Sequence, residues 1–528
     1  MIIRSPYPNV EVPEVSLPGF VLEHADQRGA APAVIDAPTG RTLSYGDLNS
    51  RVRQVAAGLR AHGVAKGDVL ALCSHNSPEF VITYYAAASA GAAITTVNPL
   101  ATGGEIAAQL TAAGARWLVT TPEVFDDKGR QAAASAGVTE SFVYGAADGA
   151  TPFASLAGAA SAGSPPRISP DDLALLPFSS GTSGLPKGVM LTHRQLVSSL
   201  CQTMVPHRVR AGDVVVGVLP MFHIFGMQVT MNLTLRTGGT IVTMPRFSLD
   251  SFLGVLQAYR VTRAELVPPI VLALAKHPAV DNYDLSRLQV ISSGAAPLGP
   301  ELARACADRL GCRVKQGYGM TELGGASHFA PDTGRDDPES IGPAMPGAEC
   351  RVVDTATGAD AAPGRRGELL VRTPAAMLGY LNNARATTAT IDADGWVHTG
   401  DIVTADEQGW FRVVDRAKEL IKYKGHQVAP AELEAILLTH PSVADCAVIA
   451  SPDQEAGEVP KAFVVPRPGC TADGLLDWLA ERVAPYQKIR RLQVTGQIPK
   501  SASGKILRRM LQEEERAAAS RTLTEARS

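Results

Sequence analysis

Residues 179–189 read Ser-Ser-Gly-Thr-Ser-Gly-Leu-Pro-Lys-Gly-Val and follow the apolar run 173–178. Gly181, Gly184 and Gly188 let the backbone bend so that successive N–H groups face one anion. Lys187 adds a point charge, and Ser179, Ser180, Thr182 and Ser183 add hydroxyl donors. Such a loop is suited to holding the phosphates of a nucleotide triphosphate. It is not a Walker A loop, which needs Gly-Lys-Ser/Thr in succession, because here Pro186 precedes Lys187 and Gly188 follows it.

Further motifs follow in order: Pro220-Met221-Phe222-His223, Ser293-Gly294-Ala295-Ala296-Pro297, Gln316-Gly317-Tyr318-Gly319-Met320-Thr321-Glu322, His398-Thr399-Gly400-Asp401, Asp415-Arg416-Ala417-Lys418 and Ser503-Gly504-Lys505. In this order and spacing the chain resembles the adenylate-forming superfamily of acyl-CoA synthetases, luciferases and peptide-synthetase adenylation domains. Within it the chain is most similar to 4-coumarate:CoA ligases. The resemblance runs from about Thr42 to Arg509.

The resemblance implies a two-step reaction. A carboxylic acid and ATP give an acyl-AMP and pyrophosphate, and the CoA thiol then displaces AMP. The first step brings two anions together, so a cation is needed between them, and Lys505 matches the catalytic lysine. ATP or AMP would be held by Ser179, Ser180, Gly181, Thr182, Ser183, Lys187, Gln316, Gly317, Tyr318 and Thr321, with Asp401 and Arg416 on the ribose. Glu322 offers the hard oxygen ligand that Mg²⁺ prefers. His223, alone in an apolar context, would by its surroundings be a core histidine; the resemblance makes it a residue that orients the acyl carboxylate and gates the path for CoA. Lys422 and Gln427 match positions that assist adenylation. Arg246, Lys424 and Gly425 match CoA contacts, and Lys418 matches the hinge about which a small domain turns between the half-reactions.

His223, Phe225, Val229, Ala295 and Gly317 are the expected acyl-pocket residues, and small residues there (Gly226, Ala295, Gly317) are expected to leave room for the acid. Phe225 and Val229 stand where plant 4-coumarate ligases tend to carry Tyr and Ser, making this wall more apolar. The expected activity is a 4-coumarate- or cinnamate-type acid:CoA ligase, with a medium- or long-chain fatty acyl-CoA synthetase as the alternative. An amino-acid adenylation domain is disfavoured, since no acid between Phe222 and Met231 is available to hold an α-amine. His426 replaces the family's usual Phe before Gln427.

The elements that must position these groups are legible from periodicity. Leu48, Val52, Val55 and Leu59 recur at helical spacing, with Ser44 and Asp47 placed as a capping box. Strands at 69–72 and 94–97 flank a helix at 78–90, a β-α-β alternation that predicts parallel sheets covered by helices. Residues 145–166, rich in Ala, Gly, Ser and Pro, read as a surface connection, and 348–353 with 368–372 as a hairpin. Strands at 444–450 and 461–465 alternate with helices at 431–438 and 472–484. The expected fold is α/β: a large N-terminal domain of helix-covered sheets with a small β subdomain (residues 1–415), and a small mobile C-terminal α+β domain (416–528).

A length of 528 residues calls for more than one core. The net charge of -3 argues against a nucleic-acid partner. Seven scattered cysteines without a C-x-x-C pair suit reduced thiols. The N-terminus lacks a signal-peptide core, and no run of about 18 apolar residues predicts a membrane span. The expected location is cytoplasmic, the partners small molecules only (a carboxylic acid, ATP and CoA), and the chain a monomer or homodimer.

Overall fold

The computed structural model describes residues 1–158, 164–179, 186–424, 426–453, 455–501 and 504–525, with side chains as far as Arg516. Its described strands form four sheets. In the first, Val69–Cys73 lies between Ala93–Thr96 and Trp117–Thr120, all parallel. The intervening helix Pro78–Ala90 is buried on almost every side, which explains why it carries so little polarity. The helix Tyr45–Ala61 is closed by the expected box: Ser44 accepts from the N–H of Asp47, and the Asp47 carboxylate accepts from the N–H of Ser44.

The second sheet positions most of the candidate site. Pro32–Asp36, Thr240–Thr243, Val214–Gly217, Arg263–Leu266, Val290–Ser293 and Arg313–Met320 run parallel, with Thr42–Ser44 and Gly325–Phe329 as antiparallel edges. The segments bearing His223, Ala295 and Glu322 all leave from the carboxyl ends of these parallel strands, where open α/β sheets commonly bind ligands.

The third sheet, six-stranded, is the expected β subdomain. It includes the predicted hairpin of Glu349–Val353 with Gly367–Arg372, and the pair Val397–Ala405 with Trp410–Arg416. Membership changes after Arg416: the next strand, Ile421–Tyr423, belongs to a five-stranded sheet with its own core of Ile421, Leu433, Leu437, Val448, Val464 and Leu475.

Two local expectations need correction. Residues 145–166 are not only a surface connection, because Phe153–Gly158 forms a 3₁₀ turn whose Leu156 is fully buried. Its backbone lies so close to the helix Tyr45–Ala61 that a Cβ on Gly58 would sit 2.2 Å from the Leu156 carbonyl oxygen. The predicted helix at 472–484 is confined to Leu475–Ala480, because Gly474 takes a left-handed φ of 70° and stops it from starting earlier.

Candidate active site

Asp401 and Arg416 face each other across the antiparallel pair Val397–Ala405 and Trp410–Arg416. Arg416 Nε lies 3.4 Å from Asp401 Oδ1, and Tyr318 Oη donates to Asp401 Oδ2 at 2.6 Å. The Asp401 carboxyl is buried, and burial pushes its pKa up against the lowering influence of Arg416 and Tyr318. The three predicted sugar and base residues therefore form one bonded group, although they come from positions 318, 401 and 416. His328, opposite Tyr318 in the strand pair, packs edge-on against its ring at 5.8 Å. Burial holds His328 at about 3, so it is a neutral wall behind the tyrosine.

At the phosphate end, Ser179 and Lys187 pair across the two strands that flank the predicted loop. Ser180, Gly181, Thr182 and Ser183 lie outside the described residues. Ser179 Oγ donates to Glu322 Oε1 at 2.9 Å, and Tyr380 Oη donates to the same oxygen at 2.8 Å. Lys187 Nζ sits 4.5 Å from the centre of the Tyr380 ring. Tyr380 thus links the lysine to the carboxylate, a role no local motif announced; only the pairing of Gly379–Tyr380 with the strand after the loop brings it there. Thr321 opens the short 3₁₀ turn Thr321–Leu323 that presents Glu322. The Gln316 side chain is engaged with backbone: it accepts from the N–H of Leu298 at 3.0 Å and donates to the carbonyls of Leu298 (3.1 Å) and Pro338 (2.7 Å).

At the acyl end, His223 precedes a stretch of π-helix, Phe225–Asn232, a geometry frequent at functional sites. The N–H of Phe225 points to His223 Nδ1 at 3.4 Å. Burial, and then the charge of Lys505, lower the His223 pKa to about 4, so the imidazole is neutral near pH 7. Lys505 is lowered to about 8 by burial first and then by Arg416, against the raising influence of Glu419 and Asp401. One lysine near the C-terminus thus senses both the ribose pair and the histidine. The turn carrying it is held by Lys505 N–H donating to Ser501 Oγ (3.1 Å) and docks on the large domain, where a Cβ on Gly504 would meet Val267 Cγ2 at 2.9 Å.

The small residues of this region do not simply leave room. A Cβ on Gly226 would lie 2.3 Å from the Pro220 carbonyl oxygen, so that glycine serves backbone packing. The space beside Gly317 is taken by the Phe329 ring, 2.9 Å from where a Cβ would be, and the Phe225 ring stands likewise against Gly294. Val229 packs with Phe329, Ala326, Met345 and Phe225. Ala295 holds a left-handed φ of 68°, a strained conformation of the kind found at binding sites.

The remaining predicted residues are not gathered here. Lys422 and Gln427 oppose each other in the hairpin Ile421–Val428 and are exposed. Lys424, with φ 45°, is exposed and paired with Glu455 at 2.5 Å. Gly425 lies outside the described residues. Arg246 is exposed and acts electrostatically on His75. Lys418 is exposed in the turn after Arg416, where the N–H of Ala417 donates to the Gly400 carbonyl at 2.9 Å. His426, the departure from the family, stacks on Tyr486 at 4.5 Å with 14° between the planes.

Residues 21–381 match the family model described as AMP-binding enzyme, and residues 432–505 match the AMP-binding enzyme C-terminal domain. The chain is 41% identical over 537 aligned positions to 4-coumarate--CoA ligase 2 of Oryza sativa subsp. japonica, an alignment covering 97% of this chain and 94% of that one. Among solved structures, ATP-bound MatB from Rhodopseudomonas palustris superposes with a TM-score of 0.87 at 29% identity, covering 95% of this chain and 99% of that one. The anthranilate CoA ligase AuaEII in complex with anthranoyl-AMP gives 0.89 at 25%, covering 96% and 98%.

Proposed function

The chain belongs to the AMP-binding enzyme family, and from that premise we propose that it is an ATP-dependent acid:CoA ligase of the 4-coumarate or cinnamate type. The observation that carries this reading is the convergence of Lys505, His223 and the paired Asp401 and Arg416, drawn from three separate segments, with Lys505 electrostatically coupled to the other three. A cation at that point is what adenylation requires. The acid's carboxylate attacks the α-phosphorus, the bond to the β-phosphate bridge breaks, and pyrophosphate leaves. Lys505 offsets the repulsion between the two anions as they approach. Asp401 and Arg416 hold the ribose, Tyr318 supports the adenine, and Ser179, Lys187 and Thr321 meet the phosphates.

Mg²⁺ fits at Glu322, a buried carboxylate beside the phosphate-facing hydroxyls. When bound it would supply charge neutralisation there. In the second half-reaction the CoA sulfur attacks the acyl carbon and AMP departs. We assign Lys418 as the pivot, with Lys422 and Gln427 assisting adenylation and Arg246, Lys424 and Gly425 meeting CoA. The seven free cysteines suit a cytoplasmic protein.

A fatty acyl substrate is not favoured, since the Oryza sativa relative named above and others at 40% identity over 97% of this chain are 4-coumarate ligases. The test is acid- and CoA-dependent AMP release from ATP and Mg²⁺, run in parallel on 4-coumarate, cinnamate, benzoate, octanoate and palmitate. Preference for the phenylpropenoids is the expected result; preference for the alkyl acids would replace it with the fatty acyl reading.

A further inference from the structure

The second sheet carries a buried row of charge that the proposed chemistry does not use. Glu265, Ser292 and Lys315 sit in register on adjacent parallel strands and so share one face, and two residues further along, Gly294 and Gly317 continue that face. His207, Arg263 and Asp332 complete the cluster. Arg263 Nη2 donates to His207 Nδ1 at 3.0 Å and pairs with Asp332 Oδ2 at 2.8 Å, which leaves His207 Nε2 to donate to Glu265 Oε1 at 3.1 Å. Lys315 Nζ donates to the Ala330 carbonyl at 2.8 Å and lies 2.5 Å from Asp332 Oδ1. These side chains are buried, except that Asp332 is only partly so.

The cluster backs one ring. Phe329 stacks on His207 (4.6 Å, 21°), and Lys315 Nζ lies 4.6 Å from its centre. Its edge meets Gly317, and it is packed with Val229 and Phe225. The ring is thus set between the expected acyl residues and a fixed array of buried ion pairs. Retreat would require breaking that array and leaving charges unpartnered in the interior, so the ring is a rigid wall, unlike an ordinary core side chain that can repack.

We propose that Phe329 is a specificity-determining residue, a fixed apolar wall of the acyl compartment that limits the size of the acid. The proposal rests on the acid:CoA ligase reading above. The test compares the ratio of kcat/KM for 4-butoxycinnamate to that for cinnamate, by acid-dependent ATP–pyrophosphate exchange, in the native chain, Phe329→Ala and Phe329→Leu. The expected result is a rise of about tenfold or more for Phe329→Ala and a smaller rise for Phe329→Leu, with KM for ATP changed less than about twofold. Phe329→Leu keeps most of the buried volume, so it serves if the alanine variant does not fold. A ratio unchanged in every variant that folds, while native protein turns over cinnamate, overturns the proposal and spares the reading. If the native chain uses only alkyl acids, the aryl reading falls and the wall is judged on chain length: a longer optimum in the variants supports it, and an unchanged optimum overturns it. No exchange with either series overturns both.

Discussion

Lys505 is where residue chemistry and location meet. Its amine is lowered to about 8, by burial foremost, yet its proposed part in adenylation needs it charged. Because kcat/KM reports the free enzyme, acid-dependent pyrophosphate exchange is expected to fall as pH rises through about 8, while the His223 ring, already neutral above about 4, adds no limb near neutrality. A profile flat to pH 9.5 would refute the role. Lys505→Ala is expected to lower adenylation by about 10²–10³, the scale of losing one preorganised charge partner in a transition state, and to spare transfer from preformed acyl-AMP to CoA. Equal loss of both steps would count against it. Asp401 and Arg416 were readable from their motifs, since each sits in a recognisable run. Tyr380 and Phe329 were not: Tyr380 owes its position to a strand pairing with a distant segment, Val189↔Tyr380, and Phe329 is backed by His207 from far along the chain.

At the scale of elements, the glycines separate two uses of the same residue. Gly226 sits in the π-helix Phe225–Asn232, where the Pro220 carbonyl leaves no space for a methyl, so Gly226→Ala is expected to destabilise the fold by about 1–3 kcal/mol. Gly254, inside the helix Leu249–Ala258, has nothing within 4 Å of its Cβ position, and Gly254→Ala is expected to gain about 0.5–1 kcal/mol. Denaturant midpoints measured side by side decide it; equal shifts would mean the packing at Pro220 is not what constrains Gly226. Tyr45–Ala61, with its periodicity and capping box, and Pro78–Ala90, an apolar run capped by Ser77, matched their sequence expectation because local signals and burial agree. The helix expected over 472–484 is shorter, Leu475–Ala480, and the left-handed backbone of Gly474 sets its late start.

For the whole molecule, the polar contacts between the large and small parts include, among the described residues, one beside the hinge, where the N–H of Ala431 donates to Asp415 Oδ2 at 2.8 Å, and others farther from it. Lys276 Nζ donates to the Leu438 carbonyl at 2.6 Å, and Arg366 pairs with Glu432 at 2.6 Å. If the small part turns about Lys418, both must break. Arg366→Gln with Lys276→Met is therefore expected to slow adenylation by about three- to tenfold, the scale of one or two half-exposed polar contacts, with little effect on the CoA step. Equal slowing of both steps would argue that these contacts support folding instead of closure. The sequence by itself determined the α/β class, the family, the order of the parts and a set of candidate nucleotide residues, because phosphate loops, caps and apolar periodicity are written in contiguous residues. Only the tertiary structure decided that Lys505 comes within electrostatic influence of His223 and the ribose pair, that Tyr380 bridges Lys187 and Glu322, and that His207 and its buried ion pairs back Phe329. The physical reason is that these are contacts between side chains far apart in sequence, and strand register and domain docking, which no local pattern encodes, choose which of them meet.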